Sequence, residues 1–312
     1  MENKKISIVV PAYNEAGNVE ALYDALAVEF VNLPYLWEVI FVDDGSTDDT
    51  LALVKSMGEK YGNVFYIEFS RNFGHQSALS AGMRMATGDA VITMDADLQH
   101  PPHFVPRLIE QWQEGYQVVY TVRAEDRRLG WFKRKSSNAF YDVLGSVSKV
   151  KVERGAADFR LIDRQVVDVL GSLREADPFL RGLVKWVGFR QKALEYNPAE
   201  RLSGKSKYKF KQMINLAFRG ITSFSEKPLY VALWLGMIMA CASLLYLPYV
   251  IWAISVGHAM AGWSSLILTV AFMGGIQLIV LGIVGLYIGK IFVQSKGRPE
   301  YIVRSTNIPR AQ

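Results

Sequence analysis

The sequence predicts an α/β domain joined to a membrane anchor, and three observations support this fold class. Short β-branched runs alternate with helical patterns in the first part of the chain, which is typical of a mostly parallel sheet covered on both faces. Polar motifs follow several of these runs directly. From Pro228 to Gly289 there is no Asp, Glu, Lys or Arg, so nearly all the charge lies outside that stretch.

Five apolar runs are predicted to be strands of one sheet. They are Ile6–Val10, Glu38–Val42, Val64–Phe69, Ala90–Met94 and Val118–Val122. Helical patterns lie between them at residues 16–31 and His75–Ala86, and Ser46-Thr47-Asp48-Asp49 suits the start of a further helix. Ligands of such sheets bind at the carboxyl ends of the strands, so the polar motifs found there are expected to form one site.

Composition narrows the possible functions. No G-x-G-x-x-G follows the first strand and no G-x-x-x-x-G-K-[ST] is present, which disfavours a dinucleotide oxidoreductase and a P-loop NTPase. The net charge of +5 allows an anionic partner, and the apolar region favours a membrane over nucleic acid. The single cysteine, Cys241, excludes an intrachain disulfide and a cysteine metal cluster. The N-terminus does not have the pattern of a secretory signal.

Two apolar runs, at about 229–256 and 263–289, each exceed the roughly 20 residues that cross a bilayer core. The short connection between them predicts a transmembrane hairpin. Basic residues flank it on one side, at Arg219, Lys227, Lys290, Lys296 and Arg298. Positive charge marks the cytoplasmic side, which predicts a multi-pass membrane protein with both termini in the cytoplasm. The alternative is a pair of buried core helices.

The segment 205–227 is predicted to be an amphipathic juxtamembrane helix, with basic residues beside an apolar stripe. A core helix of the soluble domain is the alternative. The predicted domains are therefore a cytoplasmic catalytic domain at 1–204, this interfacial helix, two transmembrane helices within 228–292, and a cytoplasmic tail at 293–312.

Asp95 and Asp97 follow the fourth predicted strand with one residue between them. Alternate side chains of extended backbone point the same way, so both carboxylates are expected to face one ligand. Mg²⁺ or Mn²⁺ suits them and would neutralise charge on a nucleotide diphosphate leaving group. A lone acidic pair more often just ends a strand. His75 and His100 are not selected, because neither has a second His or Cys at metal-ligand spacing.

Basic residues follow the fifth predicted strand at Arg123, Lys133 and Arg134, either as a binding cluster or as a solvated surface. Asp158 follows a turn at Gly155 and is a candidate to orient an acceptor or to act as a base. A phosphate monoester is largely dianionic at neutral pH, so strong deprotonation of such an acceptor is not essential. We therefore expect Asp158 to act through positioning as much as through proton transfer.

At these residues the sequence resembles the family 2 glycosyltransferases, and more narrowly the polyprenyl-phosphate glycosyltransferases, including the bactoprenol glucosyltransferases. The matching strings run in order across about the first 210 residues: VVPAYNEAGNV, EVIFVDDGSTDDT, SRNFGHQSALSAGM, ATGDAVITMDADLQHPP, VVYTVR, GAADFRLID and RLSGKSKY. The apolar hairpin and GRPEYIV follow. The resemblance implies a GT-A fold and metal-dependent, inverting transfer of one hexose from a nucleotide sugar to polyprenyl phosphate.

The resemblance also implies roles for individual residues. The nucleotide sugar would be bound by Pro11, Tyr13, Glu15, Asp43, Asp44, Asp95 and Gln99. The acceptor phosphate would be bound by Arg123, Arg134, Ser137 and Lys207. Asp95 and Asp97 would be the metal ligands, and the catalytic residues would be Asp97, Asp158 and Arg160.

The identity of the sugar stays open. RNFGHQSALSAGM and GRPEYIV are closer to the bacterial glucosyl members, which favours UDP-glucose and undecaprenyl phosphate over GDP-mannose or a UDP-amino sugar. The Q-x-x-R-W string of processive synthases is absent, since Arg181 and Trp186 do not form it. Two spans are also too few for a polymer channel unless subunits assemble, so a homo-oligomer is possible.

Two further alternatives are disfavoured. Transfer to a non-lipid acceptor would not need a site held at the bilayer. A membrane carrier or scaffold subunit is disfavoured because the spans hold no Asp, Glu, Lys or Arg, the usual marks of a transport path.

Overall fold

A computed structural model of the protein describes residues 4–123, 155–173, 175, 178–197, 227–256 and 262–309. The chain divides into two compact units. One comprises Met1–Gly220 together with Arg298–Gln312, and the other is Ile221–Gly297. Nearly all of the predicted amphipathic helix, residues 205–226, lies outside the described residues.

The described part of the first unit contains an eight-stranded sheet. In chain order the strands are β1 (Lys5–Ala12), β2 (Leu36–Asp43), β3 (Val64–Phe69), β4 (Ala90–Thr93), β5 (Val118–Arg123), β6 (Ala156–Asp163), β7 (Gln191–Tyr196) and β8 (Val303–Thr306). Their order across the sheet is β7-β5-β6-β4-β1-β2-β3-β8. The predicted α/β class is confirmed, and the five predicted strands correspond to β1 to β5.

The sheet is mixed. Strands β4, β1, β2 and β3 are parallel neighbours and form the predicted parallel core. Strand β6 lies between β4 and β5 and is antiparallel to both, whereas β7 is parallel to β5. Strand β6 is not among the five predicted strands, because Asp158 and Arg160 interrupt the apolar pattern that normally marks a buried strand.

Six α-helices accompany the described strands of this unit, besides a short 3₁₀ helix at Pro102–Phe104. They are α1 (Val19–Phe30), α2 (Thr50–Lys60), α3 (His75–Met85), α4 (Val105–Gln113), α5 (Arg164–Ser172) and α6 (Leu180–Trp186). Ile8 of β1 belongs to the same core cluster as Leu22 of α1. The next residue, Val9, points to the opposite face, where a Cβ on Gly82 of α3 would lie 2.2 Å from its Cγ1. Helices therefore cover both faces, and α3 packs its backbone directly on the sheet.

Strand β8 comes from the chain that follows the apolar region and pairs antiparallel with β3 at one edge of the sheet. The Tyr301 ring, just before β8, stacks on Phe69 with the centroids 5.2 Å apart. The Glu68 carboxylate accepts hydrogen bonds from Ser305 Oγ at 2.6 Å and Arg304 Nη1 at 3.2 Å. The segment from Arg298 onward is thus a structural part of the first unit.

The second unit contains two long helices in its described residues, α7 (Lys227–Ser255) and α8 (Trp263–Ser295). By length and composition, one described segment is long and apolar enough to cross a membrane, Phe272–Ser295. Lys227–Met239 is a shorter apolar helix by the same standard. One apolar helix of the predicted pair is therefore supported on these grounds, and the two-helix hairpin stays a prediction.

Candidate active site

The loops that follow β1 and β2 are joined to each other by hydrogen bonds. Asn14, which has a left-handed backbone with φ 57°, accepts from the Thr47 N–H at 2.8 Å and donates its own N–H to Ser46 Oγ at 3.0 Å. The Glu15 N–H donates to Thr50 Oγ1 at 2.8 Å. Parallel neighbours end at the same edge of a sheet, so these contacts form one rim of a candidate nucleotide site.

The predicted nucleotide ligands of this rim differ in accessibility. Pro11 lies inside β1 and is buried, as is Asp43 at the end of β2. Tyr13 is 46% exposed, and Glu15 is partly buried. Burial raises the pKa of Asp43, although it accepts hydrogen bonds from the Ser46 N–H. Tyr13 and Glu15 therefore offer side chains to a ligand, whereas Pro11 and Asp43 shape the loops beneath them.

Asp44 connects this rim to the loop that follows β3. Its carboxylate accepts hydrogen bonds from the Phe73 N–H at 2.6 Å and from the Gly74 N–H at 3.0 Å. Burial raises the pKa of Asp44, and these two amides oppose that effect. Gly45 has φ 76°, and a Cβ there would lie 2.8 Å from the Arg71 carbonyl carbon. The Asp44 carboxylate thus fixes the chain that leads into α3.

The metal candidates Asp95 and Asp97 lie just beyond the end of β4. Ala96 and Asp97 are in a turn, and the next residue, Leu98, has a left-handed backbone with φ 58°. The Gln99 N–H donates to Asp97 Oδ1 at 3.2 Å. The prediction that strand alternation directs both carboxylates the same way was wrong, because the chain has already left the strand. Both carboxylates are nevertheless carried by one short turn.

Two histidines contact Asp95, although the sequence analysis selected neither. His75 Nε2 lies 2.8 Å from Asp95 Oδ1. The Asp95 N–H donates to His100 Nδ1 at 2.9 Å, and the buried His100 ring stacks on Phe159 at 5.1 Å. Both histidines hydrogen-bond to Asp95, a candidate metal ligand, and do not themselves form a pair of metal ligands. A search for His or Cys residues at metal-ligand spacing therefore does not find them.

The pKa values of Asp95, His75 and His100 depend on one another. Burial raises the pKa of Asp95, but His100 and His75 together hold it below its usual value. Burial lowers the pKa of His75, yet the Asp95 carboxylate outweighs this and the pKa is raised. Burial also lowers the pKa of His100, which keeps that ring neutral near pH 7. Asp95 is therefore ionised and available to a cation.

Asp158 and Arg160 lie on the strand next to β4. Arg160 pairs with Thr93, the last residue of β4, and Thr93 Oγ1 donates to the Asp158 carbonyl at 2.6 Å. Alternate residues share one face of a strand, and Arg160 Nη2 donates to Asp158 Oδ1 at 2.9 Å. Arg181 of α6 donates from Nε to Oδ1 at 3.0 Å and from Nη2 to Oδ2 at 2.8 Å. Asp158 is thus enclosed by two guanidinium groups.

This enclosure decides what Asp158 can do chemically. Burial raises the pKa of Asp158, but the Arg181 and Arg160 guanidiniums hold it well below its usual range. A general base works best when its pKa is near the operating pH. Asp158 is therefore a poor proton acceptor at neutral pH, and its geometry favours the positioning role over the base role.

Arg123 connects the end of β5 to the turn that carries Asp95 and Asp97. Its Nε donates to the Tyr196 hydroxyl at 3.1 Å, and its Nη2 donates to Gln99 Oε1 at 3.4 Å. Arg123, which is predicted to bind the acceptor phosphate, is therefore a neighbour of Gln99, which is predicted to bind the nucleotide sugar. Arg134, Ser137 and Lys207 lie outside the described residues, as does Lys133.

The donor set of the Asp95–Asp97 turn fits a hard divalent cation. It offers two carboxylates, both partly exposed. Across the described ranges, no group of three or more His, Cys, Asp and Glu side chains is arranged to hold a metal ion. Mg²⁺ commonly binds one or two carboxylates and completes its coordination with substrate phosphates and water. This turn therefore suits a cation that arrives with a diphosphate better than one held in an all-protein cage.

The sequence matches a known family over residues 7–171, described as Glycosyl transferase family 2. The chain belongs to this family. The glycosyltransferase YkcC of Bacillus subtilis (strain 168) is 42% identical, with 96% of this chain and 93% of that protein aligned. The bactoprenol glucosyl transferase of Shigella phage SfV is 40% identical, with 96% and 98% aligned. This family 2 protein is a glycosyltransferase, and the resemblance in its motifs is confirmed.

A solved structure is also similar in part. Glucosyl-3-phosphoglycerate synthase from Mycobacterium tuberculosis, in complex with Mn²⁺, UDP-glucose and phosphoglyceric acid, aligns with a TM-score of 0.47 and 20% identity. The alignment covers 70% of this chain and 78% of that chain.

Proposed function

We propose that this glycosyltransferase moves one glucose from UDP-glucose to undecaprenyl phosphate, with inversion at the sugar carbon. The observation that carries this proposal is 40% identity, over nearly the whole chain, to a protein named bactoprenol glucosyl transferase. The geometry is consistent with it, because the nucleotide rim and the Asp95–Asp97 turn follow parallel strands of one sheet, and Asp158 lies near the start of β6, which is antiparallel to β4 and so begins at the same edge.

The donor would bind across the loops after β1 and β2, with Tyr13 and Glu15 facing the nucleoside. A divalent cation, Mg²⁺ or Mn²⁺, would supply charge neutralisation for the diphosphate when bound to Asp95 and Asp97. Gln99 lies beside this turn, and its backbone N–H donates to the Asp97 carboxylate. His75 and His100 hold Asp95 from two sides.

The acceptor phosphate would be bound by Arg123 and by three residues outside the described ranges: Arg134, Ser137 and Lys207. In the reaction, a phosphate oxygen forms the new bond to the sugar carbon. The bond from that carbon to the donor's phosphate oxygen breaks, and UDP leaves with the electron pair. The phosphate monoester is largely dianionic at neutral pH, so no proton has to be removed. Asp158 and Arg160 would position the reacting groups.

We propose further that α7 and α8 form a transmembrane hairpin at about 229–256 and 263–289, with the catalytic unit in the bacterial cytoplasm. The pairing of β3 with β8 supports this topology. Strands of one sheet lie on the same side of a membrane, so the chain between them must cross an even number of times. If Phe272–Ser295 crosses, a second crossing must precede it, and the 29 residues of α7 are sufficient in length.

The decisive experiment is an assay of membranes that contain the full chain. Labelled UDP-glucose, GDP-mannose and a UDP-amino sugar are supplied with undecaprenyl phosphate, with and without EDTA, and the lipid product is extracted. We expect lipid-linked glucose from UDP-glucose, lost with EDTA and restored by Mn²⁺. Asp97→Asn should insert normally and lose turnover. Product from another donor would overturn the choice of glucose, and no lipid product from any donor would overturn lipid transfer.

A further inference from the structure

Arg181 hydrogen-bonds to Asp158 from a separate element of the fold. The two residues are 23 positions apart, and Arg181 lies on α6 whereas Asp158 lies on β6. The guanidinium donates one hydrogen bond to each carboxylate oxygen, from Nε at 3.0 Å and from Nη2 at 2.8 Å. Two parallel bonds of this kind fix the plane of a carboxylate as well as its position. Arg160 contacts Asp158 through Oδ1 and does not fix that plane alone.

A second contact, through Gln76, also links α6 to the surroundings of Asp158. The Leu180 N–H, at the start of α6, donates to Gln76 Oε1 at 3.3 Å. Gln76 Nε2 in turn lies 3.5 Å from Asp158 Oδ2. Gln76 directly follows His75, which contacts Asp95. Helices α3 and α6 and strand β6 therefore meet around one carboxylate at the candidate reacting centre.

We propose that Arg181 is a positioning residue of the glycosyl transfer, which sets the orientation of the Asp158 carboxylate. The inference rests on the proposed function, because it assigns to Arg181 a role in that reaction. The Asp158 side chain is 6% exposed and that of Arg181 is 27% exposed, so the pair is largely shielded from water. Shielding strengthens a charge-assisted bond and makes the loss of one partner costly.

Removal of Arg181 has a specific electrostatic consequence. In the described part of the chain, the charged or titratable groups that act on Asp158 include Arg160 from β6, Arg181 from α6 and His75 from α3. Asp95 and His100, from the segment after β4, act on it as well. Burial raises the pKa of Asp158, and Arg181 is the largest influence that lowers it. Without Arg181, burial is opposed mainly by Arg160, so the pKa of Asp158 rises. The acid limb of the pH–rate profile should then move to higher pH.

The test uses the full chain in detergent or membranes with UDP-glucose and undecaprenyl phosphate. Arg181→Lys keeps the charge but loses the planar fork, and Arg181→Gln loses both. Misplacement of a reacting group by about 1 Å can cost about 100-fold in rate, so we expect kcat to fall by about 10-fold in Arg181→Lys and about 100-fold in Arg181→Gln. The KM for UDP-glucose should change by less than about twofold, because Arg181 acts through Asp158 and not on the nucleotide.

Arg190→Gln is the matched control. Arg190 is an exposed arginine of the same unit whose guanidinium stacks on Tyr116, 4.3 Å from the ring centroid, and its loss should leave the kinetics unchanged. An Arg181→Gln enzyme with normal kcat and an unshifted acid limb would overturn the inference. So would a fall in kcat that tracks a fall in melting temperature with no pH shift, since that indicates a structural role.

The two proposals fail in different ways. If wild type makes no lipid-linked sugar from any donor, the proposed function fails. If wild type is active and the Arg181 variants match it, only the inference fails. If Arg181→Gln does not fold, Arg181→Lys tests the positioning role instead. A normal kcat and pH profile in Arg181→Lys would overturn that role.

Discussion

The backbone N–H of Asp95 donates a hydrogen bond to Nδ1 of His100 at 2.9 Å, and His100 Nε2 lies 3.6 Å from Oδ2 of the same aspartate. Because Nδ1 accepts a hydrogen bond, the neutral ring carries its proton on Nε2. Burial lowers the pKa of His100, which agrees with a neutral ring. The imidazole therefore supports the backbone of a proposed metal ligand, whereas its buried Nε2 lies near the carboxylate without a hydrogen bond to it.

Replacing His100 should weaken cation binding without abolishing the fold. His100→Phe keeps a flat ring to stack on Phe159 but loses the bond to the Asp95 N–H. Residues that orient a metal ligand typically contribute about 10–100-fold to metal affinity, and we expect a loss of that size for Mn²⁺. Mn²⁺ binding to the full chain is followed by electron paramagnetic resonance, with exposed His103→Phe as the control. Equal affinity in wild type and His100→Phe would contradict this support role.

Gly45→Ala should disrupt the rim of the nucleotide site. The backbone at Gly45 has φ 76°, and a new Cβ would lie 2.8 Å from both the Arg71 carbonyl carbon and the Asn72 nitrogen. Backbone strain alone costs about 1–3 kcal/mol, so the melting temperature should fall and UDP-glucose binding should weaken. Gly62→Ala is the matched control, since a Cβ there has no neighbour within 4 Å. Comparable behaviour of the two variants would argue against the close approach.

Asn307→Leu should destabilise the first unit from its edge. The Asn307 side chain pairs with the backbone of β3, accepting from the Tyr66 N–H at 2.7 Å and donating to the Val64 carbonyl at 3.2 Å. Leucine removes one exposed and one partly buried hydrogen bond, which costs about 1 kcal/mol because water can reach the exposed Tyr66 N–H. Thermal unfolding of the full chain measures this, with Ile302→Ala as control because Ile302 is 51% exposed. An unchanged melting temperature would show that the two Asn307 hydrogen bonds contribute little stability.

The sequence predicts those parts of the fold that depend on local patterns. Strands β1 to β5 correspond to the predicted, mainly apolar runs, and the polar motifs that follow β1, β2 and β4 lie at one edge of the sheet, where the site is proposed. Strand β6 is not predicted because its Asp158 and Arg160 are charged, and only the structure shows that they are buried as an ion pair. Strand β8 is not predicted because it contains polar residues, which contact Glu68. Arg181 is the clearest case in the site. Its partner is distant along the chain, and no periodicity relates a helix residue to a strand residue of another segment.

The pairing of β8 with β3 also makes the proposed topology testable with cysteines. In a Cys241→Ser background, Gly262→Cys places a thiol between α7 and α8, and Gly62→Cys places one between α2 and β3 in the catalytic unit. A hairpin puts position 262 outside and position 62 in the cytoplasm. A membrane-impermeant maleimide should therefore label Gly262→Cys in intact cells, and Gly62→Cys only after permeabilisation. Protection of both thiols in intact cells would contradict two crossings and favour helices that do not span the bilayer.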